Sequence, residues 1–292
     1  MSKATRIRQQ NARERIAAQR AAARKAEIRN RVFITGGSIL AVIVVVVAFI
    51  IIKANQNAAK TGSGTSATGA ALPARVIKDI TAVPAATLNA IGPGSTVSKA
   101  VTSISGSALT SAGKPEVLYI GAEYCPYCAT ERWAMAVALS RFGIFSGLRG
   151  IYSSSTDVDP STPTLTFYKS TYTSKYLTFT PVETTTEDRN TTLQTPTAAQ
   201  AKIWQKYDSA GNIPFIDFGN KYLINQVTYD PSVLKGKTWA QIASALNDKS
   251  SAIAKGADGS ANVMTAAICK LTHNQPANVC TSPMITSLAG QI

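Results

Sequence analysis

Residues 32–52 are 21 uncharged positions, rich in Ile and Val and bounded by Arg31 and Lys53. At about 1.5 Å rise per residue, a helix of that length reaches roughly 31 Å, the thickness of a bilayer's hydrocarbon core. Polar or small residues interrupt it only near its start, at Thr35, Gly36, Gly37 and Ser38. A cleaved signal peptide has an apolar region of about 7–15 residues, so this run reads as a retained signal anchor; the bland alternative is a buried core helix. Ten basic side chains precede it against two acids, Glu14 and Glu27, so residues 1–31 carry +8 of the chain's net +14. Few basic residues follow closely, namely Lys53, Lys60 and Arg75. The positive-inside rule then puts the N-terminus in the cytoplasm and residues 53–292 outside, as a single-pass protein of the cell membrane. Charge packed beside an apolar run argues for a membrane rather than a nucleic acid as partner. Residues 1–31 read either as a helix lying on anionic lipid or as a simple topology signal.

Residues 53–75 are small, polar and rich in Gly, Ser, Thr and Ala, and are expected to form a flexible tether. Residues 76–292 remain for the folded part. Residues 116–124, EVLYIGAEY, run as a β-favouring segment into CPYC, and an apolar stretch over 129–142 follows: strand, turn, helix. Residues 148–155 read as a second strand, giving a βαβ unit with two parallel strands and an α/β fold class. An insertion is expected over about 156–212, with β-rich segments at 164–173 and 176–184 and a polar helix at 197–207. Pro214 precedes FIDFGN and KYLINQV, an antiparallel hairpin turning at Gly219-Asn220. Helices are expected at 239–254 and 262–271, with Gly256 and Gly259 marking the break between them.

The chain has four cysteines, and Cys125 and Cys128 are three apart. Disulfide exchange needs an attacking thiolate and a second thiol near enough to resolve the mixed disulfide, and a CxxC at a helix start supplies both. Cys125 faces unpaired backbone N–H groups and the positive end of the helix dipole, so it is the expected nucleophile. Cys128, a turn further in, is the resolving thiol. Pro126 suits the first helical position, where its missing N–H costs nothing. The competing readings are half a zinc site, for which the chain's one histidine is a poor complement, and a strained structural disulfide.

GAEYCPYC followed by an apolar helix resembles the active-site approach of thioredoxin-superfamily proteins, and CPYC is shared with glutaredoxins. The extracytoplasmic setting is similar to that of DsbA-like oxidases. Across residues 76–292, the segments DITAVPAATLNAIGPGS, IGAEYCPYCATERWAMAVALSRFG and IPFIDFGNKYLI resemble an uncharacterised actinobacterial and archaeal family of membrane-anchored thioredoxin-like proteins. The resemblance implies a thioredoxin-like fold with a helical insertion, and a cis-proline at Pro214 whose preceding residue, Ile213, binds extended substrate backbone. It also implies a buried aspartate six residues before the first cysteine as proton acceptor, where this chain has Tyr119. Glu123 and Glu131 are candidates for that proton transfer, against a plainer reading as surface carboxylates.

Cys269 and Cys280, eleven apart, are expected to form a structural disulfide in an oxidising compartment; a relay to the CxxC pair is the sharper alternative. Cys269 and His273 share a helix face, but two ligands do not complete a metal site, and no metal is expected. Trp133, Trp204 and Trp239 read as core or insertion aromatics. No organic cofactor is implied. The expected function is a thiol-disulfide oxidoreductase acting on cysteine-containing extracytoplasmic proteins, its electrons exchanged with a membrane redox partner or another thiol protein. A reductase serving cytochrome maturation or disulfide correction, and a non-catalytic binding scaffold, stay open.

Overall fold

The computed structural model describes residues 69–292. The basic segment 1–31, the expected span 32–52 and most of the expected tether, 53–68, lie outside the described residues. Among the described residues, no helix is long and apolar enough to cross a membrane.

In chain order the strands are β1 (Ala70–Ala71), β2 (Thr102–Ser103), β3 (Thr110–Ser111), β4 (Lys114–Gly121), β5 (Gly143–Ser146), β6 (Arg149–Tyr152), β7 (Pro163–Thr166), β8 (Thr171–Ser174), β9 (Thr178–Glu183), β10 (Phe215–Phe218) and β11 (Tyr222–Ile224). The helices are α1 (Ala74–Thr81), α2 (Ala85–Ile91), α3 (Pro126–Ser140), α4 (Ala198–Tyr207), α5 (Trp239–Ala245), α6 (Ala252–Leu271), α7 (Ala277–Cys280) and α8 (Pro283–Ala289). The fold is mixed α/β, as expected.

β4 is buried from Glu116 onward, as its unbroken apolar run requires of a central strand. Successive side chains leave opposite faces of a strand. Val117 and Tyr119 therefore join the larger core with α3 and α6, while Leu118 and Ile120 join a smaller one with Phe215, Val182 and Leu223. Ile203, Trp204 and Tyr207 of α4 pack on the smaller cluster. Helices thus cover both faces of the sheet.

The sheet runs β2-β11-β10-β4-β9, with β3 beside the start of β4. β9 is parallel to β4, and the β4–β10, β10–β11 and β2–β11 pairs are antiparallel. The expected hairpin is present. Gly219 and Asn220 both take positive φ, 65° and 56°, and the Lys221 N–H closes on the Phe218 carbonyl as a primed turn requires.

Three expectations are corrected. The parallel partner of β4 is β9, not the segment 148–155; β6 pairs antiparallel with β1 and β7 instead. The expected insertion 156–212 therefore contains a strand of the main sheet, and the excursions lie on either side of it. β9 reads TFTPVE, polar at alternate positions with Pro181 inside it, and an edge strand tolerates a proline that an interior one does not. Second, the end of the expected tether is built into the fold. Arg149 Nε and Nη2 donate to the Gly69 carbonyl at 3.1 and 2.8 Å, β1 joins the β6 edge, and α1 begins at Ala74.

Third, the C-terminal helices break at 246–251, and α6 runs straight through Gly256 and Gly259. These glycines serve close packing rather than helix termination. A Cβ on Gly256 would lie 2.5 Å from the Tyr229 ring, and one on Gly259 would lie 2.4 Å from the Pro93 carbonyl oxygen. Asn262, one turn on, donates to the Leu88 and Gly92 carbonyls at the end of α2, fixing the same contact.

Gly259→Ala is expected to destabilise the domain by about 1–3 kcal/mol by urea denaturation, although alanine is the better helix former, because the neighbour that must give way is backbone. Cys269 and Cys280 form the expected disulfide, eleven residues apart, tying the end of α6 to α7. Replacing both with alanine is expected to cost roughly 2–3 kcal/mol in the same measurement, the loop-closure entropy released to the unfolded chain.

Candidate active site

β4 ends at Gly121, and a short turn through Ala122–Tyr124 delivers Cys125 to the N-cap of α3, with Pro126 at the first helical position. Cys125 Sγ accepts the Cys128 N–H at 3.2 Å. A helix's first N–H groups have no partner within the helix, so the cap atom here is a sulfur. β10 pairs with β4 so that Phe215 lies opposite Ile120. Continuing that register places Ile213 and Pro214 beside the turn, where the Ile213 carbonyl lies 3.8 Å from Cys125 Sγ. The Ile213–Pro214 bond is cis.

Both cysteines are free thiols. Their environments differ. The hydrogen bond from the Cys128 thiol, then the Cys128 N–H, the Arg132 charge and the Tyr127 N–H, pull the Cys125 pKa down against the effect of burial. Burial, then the hydrogen bond and charge at Cys125, push Cys128 well up. Cys125 is 5% exposed and Cys128 not at all, so of the two only Cys125 has any surface open to solvent. Tyr127, between them, is exposed.

Beneath the pair lies an ion pair that the sequence reading did not single out. Arg132, one helical turn after Cys128, grips Glu183 with Nε–Oε1 at 2.8 Å and Nη2–Oε2 at 2.7 Å. Both side chains are fully buried. Nη2 also donates to the Ala122 carbonyl at 2.7 Å, and Glu183 Oε1 accepts the Phe167 N–H at 3.3 Å. The β4–β9 register sets Glu183 beside Gly121, which is why the carboxylate reaches this spot. The trace in the sequence is an arginine, next to Glu131, inside a largely apolar helix.

Glu123 and Glu131 are not surface carboxylates. Glu123 accepts the Thr166 hydroxyl at 2.5 Å, and burial raises its pKa to about 7, with the nearby Glu183 charge adding to the shift. Glu131 accepts the Thr228 N–H at 2.6 Å and its hydroxyl at 2.8 Å, and burial raises its pKa to about 8. Among the described residues neither carboxylate hydrogen-bonds to a cysteine sulfur. Glu123 shares the surroundings of Arg132 and Glu183; Glu131 faces Thr228 and α6.

The other residues singled out stand apart from the pair. Cys269 has its sulfur in the disulfide, so it does not join His273 as a ligand. The indole N–H groups of Trp133, Trp204 and Trp239 donate to the carbonyls of Pro163, Asn212, and Ile151 and Thr164, tying helices to loops and strands. An open cleft of about 810 Å³, lined by Tyr152, Trp239, Ser154 and Arg189, borders the turn. Arg189 stacks on the Tyr124 ring, and the Ser154 N–H donates to the Tyr124 carbonyl.

Iodoacetamide followed by peptide mapping is expected to modify Cys125 alone. Its rate should rise with pH to a midpoint below the ordinary thiol value of about 8.5, because the lowered pKa exposes thiolate earlier. Equal labelling of both cysteines would contradict the asymmetry.

No curated protein and no solved structure matches the chain. A family described as a domain of unknown function, DUF929, matches residues 100–270, which takes in the sheet from β2 to β11, the cysteine pair, Ile213 and Pro214, and all but the last residue of α6. With more than half of its length matched, the chain belongs to the DUF929 family.

Proposed function

We propose that this protein is a membrane-anchored, extracytoplasmic thiol-disulfide oxidoreductase of thioredoxin-like fold. The observation that carries this is the Cys125 sulfur, capped by the Cys128 N–H and facing the Ile213 carbonyl. The strand order β9-β4-β10-β11, with CPYC at the β4–α3 junction and helices on both faces, supports the fold assignment.

The Cys125 thiolate attacks one sulfur of a substrate disulfide; a Cys125–substrate bond forms and the other substrate sulfur departs as a thiol after taking a proton from water. Cys128 then attacks Cys125, the enzyme disulfide forms, and the substrate leaves reduced. Oxidation of a substrate dithiol is the same path reversed. Extended substrate lies along the turn, its backbone beside Ile213 and Pro214. Residues 32–52 anchor the domain, residues 1–31 stay in the cytoplasm, and electrons pass to or from a membrane redox partner. The lowered Cys125 pKa stabilises the reduced state, which favours the oxidising direction over the reductase one.

Cys128→Ser in membranes is expected to accumulate mixed disulfides with extracytoplasmic proteins, released by dithiothreitol and absent in Cys125→Ser. A glutathione titration of the wild-type chain is expected to give a potential of about −120 to −180 mV; a value near about −270 mV would support the reductase. Absence of both trapping and turnover would leave a binding scaffold and end the enzymatic reading.

A further inference from the structure

Two buried hydrogen-bond donors near the cysteine-bearing turn have no acceptor among the described residues. Tyr119 Oη and Arg132 Nη1 are buried in fully buried residues, and neither meets an acceptor among the described residues. Their neighbours are well satisfied: Arg132 spends its other nitrogens on Glu183 and the Ala122 carbonyl. Burying a hydroxyl with no partner is unfavourable, so an acceptor that arises during function is the economical account of its presence.

The geometry carries both donors toward the turn that bears the cysteines. Strand residues two apart share a face, and Gly121 follows Tyr119 by two. The phenol lies over that glycine: a Cβ at Gly121 would stand 2.0 Å from Tyr119 Oη. The hydroxyl is thereby carried to the end of β4, where the turn to Cys125 begins. Arg132, 5.9 Å from the Tyr119 ring centre, closes the same space from α3 one turn beyond Cys128. Burial, then the charges of Cys128, Glu183 and Cys125, push the phenol well above its ordinary pKa, opposed by Arg132. It therefore keeps its proton and stays a donor.

We propose that Tyr119 Oη, with Arg132 Nη1 beside it, donates to the Cys128 sulfur whenever that sulfur carries negative charge, and so positions the resolving thiolate. The proposal rests on the thiol-disulfide reading above. In the resolving step Cys128 gives its proton to water and its thiolate attacks Cys125 Sγ. The Cys125–Cys128 bond forms, the Cys125–substrate bond breaks, and the electron pair leaves on the substrate sulfur, which is protonated from water. In the reverse direction the Cys128 thiolate is the leaving group, and the same donors serve it.

The test is stopped-flow reaction of the reduced full-length chain, in detergent, with 5,5′-dithiobis(2-nitrobenzoate). Attack by Cys125 releases one coloured thiolate and leaves a mixed disulfide; resolution by Cys128 releases a second. Tyr119→Phe is expected to keep the first phase and slow the second about tenfold, the weight of a hydrogen bond to a charged group, with the second phase's pH midpoint moved upward. Its melting temperature should not fall, since the hydroxyl has no partner to lose. A second phase with wild-type rate and pH midpoint overturns the proposal, as does a lowered melting temperature with both phases slowed alike. A wild-type chain that releases no second thiolate overturns this and the redox reading together, whereas normal wild-type release with an unaffected Tyr119→Phe variant overturns this one alone.

Discussion

The Arg132–Glu183 pair is the joint of the structure. It binds three pieces that share no local sequence: α3 through Arg132, β9 through Glu183, and the turn before Cys125 through the Ala122 carbonyl. With both partners fully buried, the pair is tolerable only when its geometry is complete, because a lone buried charge costs about 3–5 kcal/mol. That demand fixes how α3 sits over the end of β4 and which residue of β9 stands beside Gly121. The positions of both sulfurs follow.

The same guanidinium acts on the cysteines electrostatically. Its charge favours thiolate at Cys125 and opposes the effect of burial at Cys128. A fixed, fully buried positive charge near the pair acts in the same sense as a helix N-terminus, in a drier medium where it is less screened. Glu183 keeps that arginine charged, so the carboxylate influences the sulfurs without touching them.

What was legible in the sequence was local. EVLYIG leading into CPYC contains its own strand, turn and helix start: an unbroken apolar run, a proline suited to the first helical position, and two cysteines one turn apart. Gly219-Asn220 likewise announces a hairpin, because both residues tolerate positive φ. What was not legible depends on partners distant in the chain. β9 reads as a β-rich segment of an insertion because 148–155 already stands as the parallel partner of β4, and only the long-range β4–β9 register shows which segment takes that place. Gly256 and Gly259 looked like helix breakers because the sequence does not reveal that Tyr229 and Pro93 press against them. Glu123 and Glu131 looked like surface acids because Thr166 and Thr228, which satisfy them, lie 43 and 97 residues away.

The burial of those two glutamates also decides what kind of site this is. Each carboxylate is engaged by a threonine, and neither hydrogen-bonds to a cysteine sulfur, while Glu183 is taken up by Arg132. Its surroundings hold a phenol that keeps its proton and a guanidinium that keeps its charge. A carboxylate in that place would take the proton from Cys128 and lose its own charge in doing so. Two donors take no proton, but they lower the energy of the thiolate once it exists. On the proposed reading, Cys128 is thereby a better leaving group when the enzyme disulfide is opened, which is the step an oxidant must make easy. On that reading, Tyr119, at the position where the resemblance implies an acid, and the lowered pKa of Cys125 bear on the direction of electron flow in the same sense, toward a site that hands its disulfide on.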